Sequence, residues 1–250
     1  MIAVLDYGIG NLRSAEKALQ HLGADARLVD DPDLAAEADG VVLPGVGAFG
    51  RCAEALRSSG LDRAAASAVE RGVPFLGICV GFQLLFEGSD EDPSQPGLGI
   101  LAGVVRRLPP GVKHPQMQWN RLDPVGSPDL VGSPDPVGSP DAVGSPDPVG
   151  SPVPRTGPSS GAAGPARTSG LLAGLPDPAW VYFVHSFAPE LSADTSSTCE
   201  YGGPVTASAE RGAVWGTQFH PEKSGAVGLG ILANFVGAVD NVVGAVNAER

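Results

Sequence analysis

The apolar run Val73–Leu76 passes directly into Gly77-Ile78-Cys79-Val80-Gly81, and a second apolar stretch follows at helical spacing. Few architectures accept a strand that ends on a glycine-flanked cysteine and turns straight into a helix. Such a G-x-C-x-G is the cysteine form of a nucleophile elbow, in which a tight turn lifts one reactive side chain above a sheet. The glycines remove side chains that would otherwise collide in the turn. Cys79 would then sit at a helix N-terminus, where free N–H groups and the positive dipole end favour thiolate over thiol.

Far downstream the segment Ala213–Phe219 ends in His220-Pro221-Glu222. Residues two apart on an extended strand end leave the same face, and Pro221 stiffens the link between them. A carboxylate placed there can orient an imidazole, which can activate a thiol. Taken singly, a cysteine is most often a small buried hydrophobe, and a histidine a satisfied core or surface residue. The elbow and the strand-end pair in one chain favour Cys79, His220 and Glu222 as a catalytic set. A third loop, Pro44-Gly45-Val46-Gly47-Ala48-Phe49, follows an apolar strand and precedes a helix. Its glycines let backbone N–H groups of Val46 and Gly47 face a developing anion, and with the N–H of Val80 they would complete an oxyanion hole.

Around these motifs strands and helices alternate. Ile2–Asp6, Ala26–Val29 and Gly40–Leu43 read as strands; Leu12, Ala15, Leu19 and Leu22 form one helical face closed by Gly23. Residues 31–38 and 51–71 read as helical, the latter broken at Ser58–Gly60, and a helix is expected from Cys79 through Phe86. This alternation implies an α/β fold with an open, mainly parallel sheet flanked by helices. Beyond Leu98 the pattern changes to strands at Leu101–Leu108, Val181–Ser186, Ser197–Glu200, Val205–Glu210 and Ala213–Phe219, then a helix over Ala226–Val236. These later strands make a β-rich, mixed extension. The active residues fall at carboxyl ends of strands, where open α/β sheets bind ligands.

Residues 123–152 are five tandem copies of D-x-V-G-S-P, and the Pro/Gly/Ser-rich character continues to about Gly170. Every copy carries proline, which removes a ladder donor, and too few coils would form to stack a β-solenoid. Residues 123–170 are therefore expected to be a disordered or polyproline-like insertion in a chain that is otherwise one domain, 1–250. The copies supply five acidic groups and no basic one, part of a net charge of −12. That charge, without Lys/Arg clusters, argues against a nucleic-acid partner. Three widely spaced cysteines (Cys52, Cys79, Cys199) lack metal-ligand spacing and suit a reducing, cytoplasmic setting. No basic segment precedes the first strand, and no apolar stretch is expected to reach membrane-spanning length.

The set Asp6-Tyr7-Gly8-Ile9-Gly10-Asn11-Leu12, Pro44–Phe49, Gly77–Gln83, Met117-Gln118-Trp119-Asn120, Phe183-Val184-His185-Ser186 and Gln218–Ser224 resembles the glutaminase subunits of imidazole glycerol phosphate synthase. These are class I glutamine amidotransferases of histidine biosynthesis. The resemblance spans nearly everything outside residues 123–178. It implies that Cys79 attacks the glutamine side-chain amide, His220 shuttles the proton and Glu222 holds His220. Gly45, Gln83 and Ser186 match glutamine-binding positions; Asn11 and Trp119 match positions facing a (βα)₈-barrel cyclase in a heterodimer. Ammonia would pass to that cyclase, which forms imidazole glycerol phosphate and an aminoimidazole carboxamide ribotide, and no cofactor or metal is implied. Glutaminase activity would wait for the loaded cyclase. Two departures stand out: Gln118 where the pattern has Gly, and Phe187 where it often has Tyr. The shared motifs would equally suit a class I glutaminase of another synthase, or a silent regulatory module, although the intact triad speaks against silence.

Overall fold

The computed structural model describes residues 1–125 and 170–248. In chain order the elements are β1 (Ile2–Leu5), α1 (Leu12–His21), β2 (Ala26–Val29), α2 (Pro32–Ala36), β3 (Gly40–Gly45), α3 (Phe49–Ser59), α4 (Leu61–Glu70), β4 (Phe75–Cys79) and α5 (Val80–Gln83). The second half holds β5 (Gly88–Ser89), β6 (Val104–Arg107), β7 (Gln116–Arg121), β8 (Asp123–Pro124), β9 (Trp180–His185), β10 (Phe187–Pro189), β11 (Thr195–Glu200), β12 (Pro204–Arg211), β13 (Val214–Thr217) and α6 (Gly225–Ala248).

One sheet, ordered β2-β1-β3-β4-β13-β12-β11-β8, organises the molecule. Its first five strands are parallel; β12, β11 and β8 continue it antiparallel. Strands β1, β3 and β4 are buried along their whole length, as strands covered on both faces must be. This is the mixed, mainly parallel sheet expected, with the β-rich extension joined edge-on to it. Helix α1 buries Leu12, Ala15 and Leu19 and ends at Gly23, whose φ of 86° suits the left-handed closing position. Gly60, at φ 77°, separates α3 from α4 at the expected break.

Three expectations are corrected. The helix after Cys79 ends at Gln83 rather than Phe86. The N–H groups of Leu85 and Phe86 bond three residues back, to the Phe82 and Gln83 carbonyls, so the chain leaves the α ladder there. The carbonyls of Leu84, Leu85, Phe86 and Glu87 accept from the N–H groups of Leu98, Leu101, Gly99 and Gly97 of a returning loop, which prevents the helix from resuming. The expected insertion does not begin at Asp123. Asp123 and Pro124 pair with Thr198 and Ser197 as the edge strand β8, a place where proline is tolerated, so the first copy begins inside the sheet. The expectation for the rest of the repeats falls on residues 126–169, outside those described. Third, α6 runs to Ala248, well past Val236, and Gly225–Ala245 has the length and mean hydropathy, 1.6, of a helix able to cross a membrane, contrary to the expectation. Its inner face is core: Ile231, Leu232, Phe235 and Val239 are buried, and Phe235 packs edge-on against Trp215 of β13.

Strand β7 was not foreseen at all. It pairs antiparallel with β9 as a separate ribbon, Gln116 opposite His185 and Arg121 opposite Trp180, across the 126–169 insertion in sequence.

Candidate active site

Strand β4 delivers Cys79 to the turn with φ 54° and ψ −112°, the only non-glycine at positive φ among the described residues. A backbone so placed costs on the order of 1–3 kcal/mol and persists because its surroundings enforce it. The enforcement is visible at the flanking glycines. A Cβ at Gly81 would lie 1.8 Å from the Leu43 carbonyl oxygen, and one at Gly77 2.8 Å from Phe82 Cα. Phe82 itself fills the space over Gly216 of β13, where a Cβ would meet its ring at 1.8 Å.

Parallel pairing of β13 with β4, Thr217 opposite Ile78, brings the following loop to the same sheet end. His220 Nδ1 and Glu222 Oε1 are 2.8 Å apart, and both side chains are 2% exposed. The short turn Pro221–Lys223 fixes their spacing, while the Ser224 hydroxyl donates to the His220 carbonyl at 2.6 Å. Burial works against an imidazolium at His220, but Cys79 and Glu222 on its two sides outweigh it and push its pKa up to about 9. Besides His220, the Cys79 sulfur meets Gln218 Nε2 at 3.8 Å.

A pocket of about 290 Å³ opens at this point, lined by Val46, Gly47, Cys79, Val80, Gln83, Glu91, His185, Ser186 and His220 among others. Gln83 is locked: its Nε2 donates to the Phe187 carbonyl at 2.9 Å and to Gln218 Oε1 at 3.0 Å, which leaves its own oxygen as the free acceptor. Phe187 thus serves through its carbonyl, so the hydroxyl absent from its ring is not what holds Gln83. His185 Nδ1 is 2.9 Å from the same carbonyl. Burial, with a lesser contribution from the charge of His220, lowers its pKa to about 4 despite that carbonyl, so the ring is neutral.

The sequence-selected residues therefore converge, with Gly45 opposite Cys79 in the β3–β4 register, its Cβ position 2.5 Å from Gly81 N. Asn11 also comes to the site: its Nδ2 lies 3.5 Å from Glu222 Oε1, and its Oδ1 accepts from Ser14. Trp119 does not. It is exposed on β7, edge-on to Tyr182 at 6.1 Å, beside exposed Met117 and Trp180. Sequence reasoning missed Gln218 and Glu91. Gln218 was legible as the residue two before His220; Glu91, whose carboxylate accepts from Phe49 N at 2.8 Å, lies in an acidic turn with no periodic signal.

This arrangement is that of a class I glutamine amidotransferase, and the family described as "Glutamine amidotransferase class-I" matches residues 3–238. The imidazole glycerol phosphate synthase subunit HisH of Synechococcus sp. (strain JA-3-3Ab) is 41% identical over 94% of this chain and 92% of its own length. That of Symbiobacterium thermophilum is 39% identical over 94% and 92%. Among solved structures, a glutamine amidotransferase superposes with a TM-score of 0.64 at 18% identity, covering 96% of this chain and 98% of that one. PurLQS from Thermotoga maritima gives 0.60 at 19%, covering 95% and 98%. At such identities these two report the fold alone. The chain belongs to the class I glutamine amidotransferases and, within them, to the HisH subunits of imidazole glycerol phosphate synthase.

Proposed function

We propose that this chain hydrolyses glutamine to glutamate and ammonia with Cys79 as nucleophile, and that the ammonia feeds the cyclase subunit of imidazole glycerol phosphate synthase in histidine biosynthesis. The observation that carries the reading is the buried His220–Glu222 pair, 2.8 Å apart, facing the same pocket as the strained Cys79. The Cys79 sulfur, with the proton already on His220, adds to the amide carbon. The oxygen left with negative charge meets the N–H groups of Val80 and of the Val46–Gly47 loop. His220 returns its proton to the nitrogen, the C–N bond breaks and ammonia leaves a thioester. Water, deprotonated by the same imidazole, then frees glutamate and the thiol.

The free oxygen of Gln83 and the Glu91 carboxylate supply acceptors for the substrate's α-ammonium group, while Ser186 lines the pocket wall that receives its backbone end and Gly45 is the backbone that sets the adjoining Val46 in that wall. The exposed Met117, Trp119 and Trp180 side chains on the β7–β9 ribbon suit a partner surface, since aromatics and Met concentrate at interface cores. The ribbon adjoins the site: Val184, opposite Met117, lines the pocket. We read the partner as a (βα)₈-barrel cyclase in a heterodimer, with Asn11, whose amide lies beside Glu222, also facing it, and the setting as cytoplasmic. Glutamate release should be assayed for the chain alone, with the cyclase, and with cyclase plus its nucleotide substrate. Rates that rise across the three support the reading; equal rates favour a stand-alone glutaminase.

A further inference from the structure

The oxyanion loop is gripped from behind by two buried side chains that no step of the reaction uses. The Tyr7 hydroxyl donates to the Pro44 carbonyl at 2.6 Å, and the Cys52 thiol donates to the Val46 carbonyl at 3.3 Å. Both residues are buried, Tyr7 6% and Cys52 0% exposed. They are also neighbours: burial together with its contacts to Cys52 raises the Tyr7 pKa well above the ordinary tyrosine value, and burial raises that of Cys52, so both stay protonated as donors. The Tyr7 oxygen stands 2.9 Å from where a Gly45 Cβ would be, closing the far side of the loop against the elbow backbone at Val80 and Gly81.

A carbonyl and the N–H that follows it belong to one rigid plane and point in opposite directions. Holding the Pro44 carbonyl fixes the Pro44–Gly45 peptide, and holding the Val46 carbonyl fixes the Val46–Gly47 peptide together with the aim of the Gly47 N–H. Between them the Gly45–Val46 peptide receives no side-chain hydrogen bond among the described residues. We propose that Tyr7 and Cys52 are positioning residues that clamp the two outer peptides of the oxyanion loop, so that the Gly47 N–H is aimed at the substrate oxygen and rotation is confined to the single peptide between them, the one that carries the Val46 N–H. The pair brings a tyrosine two residues beyond β1, remote from the loop in sequence, together with a cysteine in the first turn of α3, the helix into which the loop runs.

This proposal rests on the glutaminase reading, and the test separates the two. The full chain, assembled with its partner subunit, is compared with Cys79→Ala, Tyr7→Phe, Cys52→Ala and Cys52→Ser. Glutamine turnover by the parent and none by Cys79→Ala establish the reading first; an inactive parent overturns both. A lost oxyanion donor costs roughly 10²–10³ in rate, and a donor loosened rather than lost should cost about tenfold. Tyr7→Phe and Cys52→Ala are therefore expected to lower kcat about tenfold, with KM for glutamine changed less than about twofold, because the loop acts on the charged oxygen and not on ground-state binding. Cys52→Ser keeps a donor and should recover most of the loss. Glutamate γ-semialdehyde gives a second readout: its carbonyl carbon accepts the Cys79 sulfur, the π electrons move to oxygen, and that oxygen occupies the hole. Its inhibition should weaken by the same factor as kcat. Unchanged kcat in both variants, a rise in KM alone, a serine variant as poor as the alanine one, or semialdehyde inhibition that does not follow kcat would overturn the clamp.

Discussion

Acidifying the protein should expose the cost of keeping His185 neutral. Its imidazole is 6% exposed, Nδ1 donates to the Phe187 carbonyl, and Nε2 has no hydrogen-bond partner among the described residues. A second proton would have to enter Nε2 without a partner and close to the charge of His220, so the pKa falls from 6.5 to about 4. The folded state thus binds fewer protons than the unfolded chain between these values. The stability contribution of a neutral His185 is complete above about pH 6.5 and is lost as pH falls toward 4, where the folded ring is itself protonated. At about 1.36 kcal/mol per unit, the loss is about 3 kcal/mol. His220, shifted the other way, contributes fully below 6.5 and loses its share only as pH rises through about 9, so it adds no slope on the acid side. Urea unfolding at pH 7, 5.5 and 4 should be compared for the parent and His185→Asn, whose amide can still donate to Phe187. Carboxylates shared by both proteins cancel in the difference. With m on the order of 3 kcal/mol/M, the parent's midpoint should fall about 1 M further than the variant's. Equal acid slopes would show that His185 is not held neutral by burial.

Gly81→Ala should destabilise the protein by at least about 2 kcal/mol and abolish turnover, because the clash at 1.8 Å is with the Leu43 backbone and not with a side chain that can turn away; thermal unfolding and glutamate release check both parts. Gly47→Ala has open space around its Cβ but must hold φ 86°, so it should fold with a loss of about 1 kcal/mol and show a flattened response to the partner in the three-condition assay. Trp119→Ala should weaken partner binding at least tenfold by titration while leaving the melting temperature of the isolated chain within a few degrees, since the side chain is 49% exposed. Replacing residues 126–169 with a flexible linker long enough to join Val125 to Gly170 should change stability by no more than about 1–2 kcal/mol, whereas a deletion starting at Asp123 also removes β8 and should cost more.

The parts of the fold that could be read in advance are those set by local chemistry. The buried runs of β1, β3 and β4, the Leu12–Ala15–Leu19 face and the stops at Gly23 and Gly60 each carry their signal within a few residues. The triad was legible for the same reason: the elbow glycines and the His-Pro-Glu spacing are contiguous. What escaped depends on partners remote in sequence. The early end of α5 is held by N–H groups of Gly97–Leu101, β7 by pairing with β9 across the insertion, and β8 by an edge of β11. Glu91 acts through the pocket it lines and Gln218 through its contacts with Cys79 and Gln83, and the hold of Tyr7 and Cys52 on the oxyanion loop exists only once β1, β3 and α3 are packed.

The central claim, that Cys79 is the nucleophile for a glutamine side chain, is tested most directly by covalent labelling. A diazoketone analogue of glutamine, 6-diazo-5-oxonorleucine, is incubated with the native protein and its partner, and the modified residue is located by peptide mass spectrometry. Cys52 and Cys199 are fully buried, whereas Cys79 lines the pocket, so protection by glutamine is the control that separates recognition from mere access. The account predicts a single adduct on Cys79, suppressed by excess glutamine and lost together with glutaminase activity in Cys79→Ala. Label on Cys52 or Cys199 instead, or labelling of Cys79 that glutamine does not protect against, would contradict it.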